Sequence, residues 1–195
     1  MRNFPYWFSD ILINLLTFNY LIVKKIIKKE IPGSDKLSVI DLGCGTGTLA
    51  KLFNQKKYLG LDIDKEAILR AREKFPRYRF QSGDAVSVKI KNRFDIVLVV
   101  GVLHHLRSKE VKKTARKINS LLKKNGQVLI IEATQPISLF NILGKVLRKL
   151  DKGSFVRSVG GYAKLLTTGL TLKKQYYQKG GLLDYAVFVA CRQNN

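Results

Sequence analysis

The residues best placed to do chemistry lie in the run Val39-Ile40-Asp41-Leu42-Gly43-Cys44-Gly45-Thr46-Gly47-Thr48. An apolar stretch ends in an acid, then turns through three glycines spaced two apart. Glycine suits a sharp turn or a close approach of backbone to a ligand. The pattern predicts a strand, a tight loop and a helix from Thr46 to Phe53. The N-terminus of such a helix offers unpaired N–H groups and a partial positive charge. A loop of this kind is built to receive a ligand with a polar or anionic part.

Other chemistry-bearing residues end other apolar runs. Asp62 closes Leu59-Gly60-Leu61-Asp62-Ile63-Asp64, Asp84 lies in Gly83-Asp84-Ala85, and Gly101 follows the run Phe94 to Val100. His104 and His105, the two histidines of the chain, come just after. A nicotinamide-type fingerprint needs glycine at the first, third and sixth places of the loop. Here the sixth place is Thr48, so the third glycine is missing. A phosphate-binding G-x-x-x-x-G-K-[ST] loop is absent, and no cluster of residues suggests a metal. The two cysteines, Cys44 and Cys191, have no metal-ligand spacing and form no disulfide framework.

The elements that must position these residues alternate. Strands are expected at Leu37 to Leu42, Tyr58 to Ile63, Arg79 to Ser82, Phe94 to Val100 and Gln127 to Glu132. Helices are expected from Lys65 to Lys74, capped by Asp64, and from Ser108 to Leu122, stopped by Asn125-Gly126. Alternation of this kind implies a parallel sheet with right-handed crossovers. Leu170 to Gln178 and Leu183 to Cys191, separated by Lys179-Gly180-Gly181-Leu182, predict an antiparallel hairpin at the sheet edge. In an open parallel sheet ligands bind beyond the carboxyl ends of the strands. The acids and glycines above fall at four such ends and define one crevice.

At 195 residues the chain suits a single domain. Residues 1–35 are expected to form a helical cap on a domain spanning 36–195, with a helical substrate cover at about 136–169. Within Phe4 to Val23, Asp10, Asn14, Thr17 and Asn19 argue for an amphipathic helix over a membrane span. No cleavable secretory signal is read near Met1. Lys and Arg number 36 against 14 Asp and Glu, a net charge of +22. That field favours anionic partners such as nucleic acid, anionic lipid or phosphorylated substrates.

Taken together, these motifs resemble the class I S-adenosylmethionine-dependent methyltransferases. The resemblance also covers Phe94-Asp95-Ile96-Val97, Val102-Leu103-His104-His105-Leu106 and the run Leu121 to Leu129. It implies a Rossmann-like, seven-stranded, mostly parallel sheet in the order 3-2-1-4-5-7-6, with strand 7 antiparallel and helices on both faces. It further implies S-adenosylmethionine as cofactor and S-adenosylhomocysteine as product. Asp41 and the loop Gly43, Cys44, Gly45 and Gly47 would hold the methionine end. Asp62 would bind the ribose hydroxyls and Ile63 would pack on adenine, with Asp84 and Ala85 at the adenine amino group. Val100 and Gly101 would line the sulfonium side. His105 or His104, beside the expected methyl position, could serve as a base.

The acceptor expected from this reading is a small molecule or a lipid-like compound. The setting expected is cytoplasmic, with peripheral contact at the inner, anionic membrane surface. RNA methylation is the rival supported by the charge, and a non-catalytic cofactor-binding protein of the same fold is the other. Arg157, Tyr162, Tyr176, Tyr177 and Glu132 lie in segments expected to flank the acceptor.

Overall fold

The alternation of apolar runs and amphipathic stretches becomes a three-layer α/β sandwich in the computed structural model, which describes residues 21–134, 155–180 and 184–193. Its strands are β1 (Val39–Leu42), β2 (Tyr58–Asp62), β3 (Arg79–Ser82), β4 (Phe94–Val100), β5 (Leu122–Ala133), β6 (Leu170–Gln178) and β7 (Tyr185–Arg192). Its helices are α1 (Leu21–Glu30), α2 (Lys65–Lys74), α3 (Ser108–Leu121) and α4 (Val159–Leu166). The strands form one sheet in the order β3-β2-β1-β4-β5-β7-β6. β1 to β5 run parallel, and β7 enters antiparallel between β5 and β6.

The central strands are apolar on both faces because both faces are covered. On one face Ile40, Leu42, Val97, Val99, Val128 and Ile130 pack against Val111, Ala115 and Ile118 of α3 and Tyr162 and Leu166 of α4. On the other, Val39, Ile96, Leu98, Leu129 and Ile131 meet Val23, Ile26 and Ile27 of α1 and Ile68 and Ala71 of α2. The described part of the N-terminal segment is thus one of the layers of the domain. Its last residue is tied to the sheet: Gln127 Nε2 donates to the Glu30 carbonyl at 3.1 Å, and Lys174 Nζ and Tyr176 Oη donate to the Glu30 carboxylate at 2.8 and 2.9 Å. Burial opposes ionisation of Glu30, but these two donors hold its carboxyl below the usual range.

Most expected boundaries hold to within two residues. Asp64 caps α2, accepting from the amides of Glu66 and Ala67 at 2.9 and 3.2 Å. Two expectations are corrected. Thr46 to Phe53 does not form an α-helix; after the glycine loop the chain makes turns and a short 3-10 helix over Ala50–Leu52. α3 ends at Leu121 without Asn125-Gly126, and β5 begins at once, pairing Leu122 with Phe94 before its register shifts to Gln127 with Ile96. Gly126 is needed for a different reason. A Cβ there would lie 2.9 Å from the Phe94 carbonyl oxygen and 3.1 Å from that of Asp95.

The expected amphipathic piece from Phe140 to Leu150 and most of the expected cover at 136–169 lie outside the described residues, as do residues 1–20 and the hairpin turn at 181–183. Among the described residues no helix is long and apolar enough to cross a membrane.

Candidate functional site

The glycine loop leaves β1 and turns back onto the end of β2. The amides of Gly43 and Cys44 both donate to the Leu61 carbonyl, at 2.7 and 3.1 Å, and the Gly47 amide donates to the Cys44 carbonyl at 3.0 Å. The Gly45 amide donates to Asp62 Oδ2 at 2.7 Å. Four loop amides are therefore satisfied within the protein. With no α-helix following, the loop does not present the row of unpaired amides that its sequence suggests.

The glycines do different jobs. A Cβ on Gly43 would overlap Val102 at 2.3 Å, and one on Gly47 would meet the Phe80 ring at 2.8 Å, so these positions admit close packing. Gly45, with φ of +52°, has nothing within 4 Å of where its Cβ would stand. Here the bare backbone faces open space, as a surface for a closely approaching ligand does.

Beneath the loop lies Asp41, 1% exposed. Tyr58 Oη donates to its Oδ2 at 2.8 Å. Burial, with the charge of Asp62 adding to it, raises the Asp41 carboxyl to about 7 despite that hydrogen bond. Tyr58 is itself clamped by an aromatic cluster, stacked on Phe53 and edge-on to Tyr78 and Phe80. Cys44 shares this environment; burial, then Asp41 and Asp62, push its thiol far above the ordinary range. Cys44 is consequently held as the protonated thiol, packed beneath the loop. Tyr58 was not singled out from sequence, and its one sequence signal is that a tyrosine in a buried strand needs a hydroxyl partner.

The other strand ends meet this loop. Asp62 Oδ1 accepts from the Asp64 amide at 2.9 Å, and each carboxylate oxygen keeps a second lone pair for a hydroxyl donor. Ile63 next to it is 72% exposed, a large apolar side chain offering a face at the rim. The Gly83 amide donates to the Asp62 carbonyl at 2.8 Å, which brings Asp84 and half-buried Ala85 alongside. Asp84 is exposed and one oxygen, Oδ1, accepts from the Val86 amide at 2.9 Å. Half-buried Val100 and exposed Gly101 close the other side, where the Gly101 amide donates to the Ile131 carbonyl at 2.9 Å.

A second, buried constellation holds the segment after β4. Glu132, wholly buried, accepts through Oε1 from the amides of Val102 and Leu103 at 2.8 and 2.7 Å. Its Oε2 accepts from the His104 amide at 3.3 Å and lies 2.9 Å from His104 Nδ1. A carboxylate only accepts, so this contact places a proton on Nδ1. His104 is buried, whereas His105 is exposed with its ring 4.0 Å from that of His104. Arg157 braces the same turn, donating to the carbonyls of Leu103, Phe155 and Leu106 at 3.2, 2.8 and 2.8 Å.

Glu132 and Arg157 thus organise backbone. The tyrosines expected near the acceptor also have structural partners. Tyr162 is buried and its hydroxyl donates to the Ala133 carbonyl at 3.1 Å, Tyr176 donates to Glu30, and Tyr177 donates to buried Asp184. Among the described residues no group of three or more His, Cys, Asp or Glu side chains is gathered as a metal site.

The comparisons with known proteins agree with this geometry. Residues 40–128 match the family model of a methyltransferase domain. An uncharacterized methyltransferase of Alkaliphilus oremlandii is 25% identical over 95 residues, covering 48% of this chain and 44% of the relative. The chain spans about half the length of the curated relatives it matches. Among solved structures, the PH0226 protein from Pyrococcus horikoshii superposes with a TM-score of 0.70 at 18% identity, covering 98% of this chain and 93% of that one. Magnesium protoporphyrin IX methyltransferase from Synechocystis, with bound S-adenosylhomocysteine, gives 0.68 at 18% identity, covering 99% and 90%. The fold is that of methyltransferases of known structure, and residues 40–128 match a methyltransferase-domain model.

Proposed function

We propose that this protein transfers a methyl group from S-adenosylmethionine to a small-molecule or lipid-like acceptor. The observation that carries the reading is the convergence of Gly45, Asp62, Ile63, Asp84 and Gly101 at adjoining strand ends. The residues fit the cofactor's parts. Asp62 has lone pairs for two ribose hydroxyls, Ile63 offers an exposed apolar face for a purine, and Gly45 leaves room for the chain between them. Asp84 is an acceptor for an amino group, and buried Asp41 sets a negative field behind a cationic centre. Bound there, the cofactor supplies a methyl group activated by its sulfonium charge.

The work left to the chain is positioning and water exclusion, which can supply much of a displacement's acceleration. Glu132 and Arg157 fix the turn carrying Gly101 to Leu106. His105, exposed on that turn, would take a proton from acceptors that must lose one, while His104 is engaged with Glu132. The lipid-like acceptor, and peripheral contact of a cytoplasmic protein with an anionic membrane, are supported by the exposed Lys25, Lys28 and Lys29 of α1.

Calorimetry with S-adenosylhomocysteine tests the donor: micromolar binding is expected, and a native protein that does not bind would sink the reading. Labelled S-adenosylmethionine incubated with separated lipid, RNA and small-molecule extracts tests the acceptor. Label confined to RNA would overturn the acceptor class. Sedimentation with anionic vesicles at low salt tests the membrane contact.

A further inference from the structure

The opposite rim of the sheet carries a second concave feature. A cleft of about 580 Å³ opens at the amino ends of β1 to β4. Lys56 and Lys57 line it before β2, Arg79 at the start of β3, and Lys89, Lys91 and Arg93 on the segment entering β4. All of these side chains are exposed. Lys57 Nζ donates to the Lys36 carbonyl at 2.8 Å. Among the described residues the other five form no ion pair.

Asp95, the acid next to Phe94 of the lining, is already committed. It accepts from the Ser38 amide and hydroxyl at 2.8 and 2.6 Å and pairs with Lys123 at 2.9 Å. The cleft therefore holds uncompensated positive charge on concave walls, an arrangement that concentrates the field and draws in anions. Exposed lysines scattered for solubility would not need a cleft.

The lining identifies the anion. Its free cations flank β3, β2 and β4, and the four neighbouring strands from β3 to β4 make a row of about 14 Å at the usual strand spacing. That length suits several phosphates in a chain better than a single one. Tyr58 and Phe94, the aromatic residues of the lining, are 1% and 6% exposed, so the cleft offers no ring for base stacking, and its other large apolar residues, Leu59 and Ile90, are partly buried against the core. Among the described residues no carboxylate lines the cleft to read base edges. What is left is contact with phosphate.

We propose that this cleft binds the phosphate backbone of a single-stranded nucleic acid without regard to sequence. It lies at the other end of β4 from the methyl-transfer crevice, about 20 Å away at ordinary strand rise. A strand held there localises the protein; it does not place a base at the crevice. This interaction is independent of the acceptor and of the donor.

The test is fluorescence anisotropy of the full chain with a labelled oligouridylate across a salt series. The cleft variant Lys89→Glu/Lys91→Glu/Arg93→Glu is compared with Lys109→Glu/Lys112→Glu/Lys113→Glu, the same charge change on the exposed side of α3. Both must keep the native melting midpoint; a cleft variant that does not is replaced by the corresponding glutamine triple. The expected result is at least a tenfold loss of affinity and a salt slope lower by about two in the cleft variant. The α3 variant should lose no more than about threefold through the general field. Equal losses in both variants, or no binding by the native chain, would overturn the proposal. So would capture of phosphatidylglycerol vesicles through the cleft residues with no binding of the oligonucleotide.

Discussion

The Gly45 amide donates to Asp62 Oδ2 at 2.7 Å, joining the glycine loop of β1 to the carboxyl end of β2. One side chain therefore both shapes the loop and faces the crevice. On the proposed reading, Asp62→Ala would remove two charge-assisted hydroxyl contacts together with the observed loop tether, and hydrogen bonds to charged groups contribute about 1.5–3 kcal/mol each. Affinity for S-adenosylhomocysteine should fall about 100-fold or more. Asp62→Asn keeps an acceptor for the Gly45 amide and should lose about tenfold. Calorimetry separates the two, and an alanine variant that binds like the native chain would remove Asp62 from the site.

Asp41 makes binding proton-linked. Its carboxyl titrates at about 7 because it is buried, and because Asp62 is near. A cation arriving in the crevice favours the ionised form and lowers that value, so binding near neutral pH releases up to about half a proton. The calorimetric enthalpy of binding S-adenosylmethionine should then differ between phosphate and Tris buffers, in proportion to their ionisation enthalpies. In Asp41→Asn the difference should vanish. Equal enthalpies in both buffers for the native chain would contradict the linkage. The same group affects stability with a fixed sign. Its folded value lies above its unfolded 3.8, so the folded state holds an extra proton between these values, and stability from this group declines as pH rises through that window.

Much of this site was legible in the sequence because strand ends announce themselves. Phe94–Val100 and Lys65–Lys74 were expected at their observed bounds, since a doubly covered strand is apolar throughout and Asp64 marks a cap. The crevice acids followed from their place after apolar runs. What the sequence could not show were pairings across the fold. Tyr58 and Asp41 are neighbours only because β2 lies beside β1, and Glu132 reaches Val102 and Leu103 only because β5 lies beside β4. Thr46 to Phe53 misled because its apolar spacing fits a helix, while Gly47 packs on Phe80 and the chain turns tightly there instead.

Glu132 is predicted to act through the turn that it holds. Glu132→Ala leaves the amides of Val102 and Leu103 and the ring of His104 without their buried acceptor, a loss of about 3 kcal/mol or more. Glu132→Gln keeps one oxygen for the two amides but can set an amide N–H against His104 Nδ1, for about 1–2 kcal/mol. Turnover should drop further than cofactor affinity in the glutamine variant, because the displaced turn carries Gly101 and His105. Urea denaturation and single-turnover rates check both parts. A glutamine variant equal to the native chain in stability and rate would show the contact to be incidental.

Acid sensitivity should begin at the opposite rim, with Asp95. Burial works against its ionisation, but the Ser38 hydroxyl, Lys123 and the Ser38 amide outweigh it and hold the carboxyl at about 2, below the ordinary 3.8. A depressed acid stabilises the fold above its unfolded value and loses that contribution as pH falls through the folded one. The window therefore runs downward from about 4 to about 2, and with solvent screening of this partly exposed group the contribution at neutral pH is about 1 kcal/mol. Asp95 gathers Ser38 ahead of β1 and Lys123 in the bulge of β5, so its loss loosens three strands at their amino ends. Urea midpoints of Asp95→Asn should lie below those of the native chain at pH 7, with the gap closing as pH approaches 2. A gap that stays constant across the series would mean that the difference arises from packing and not from the charge of Asp95.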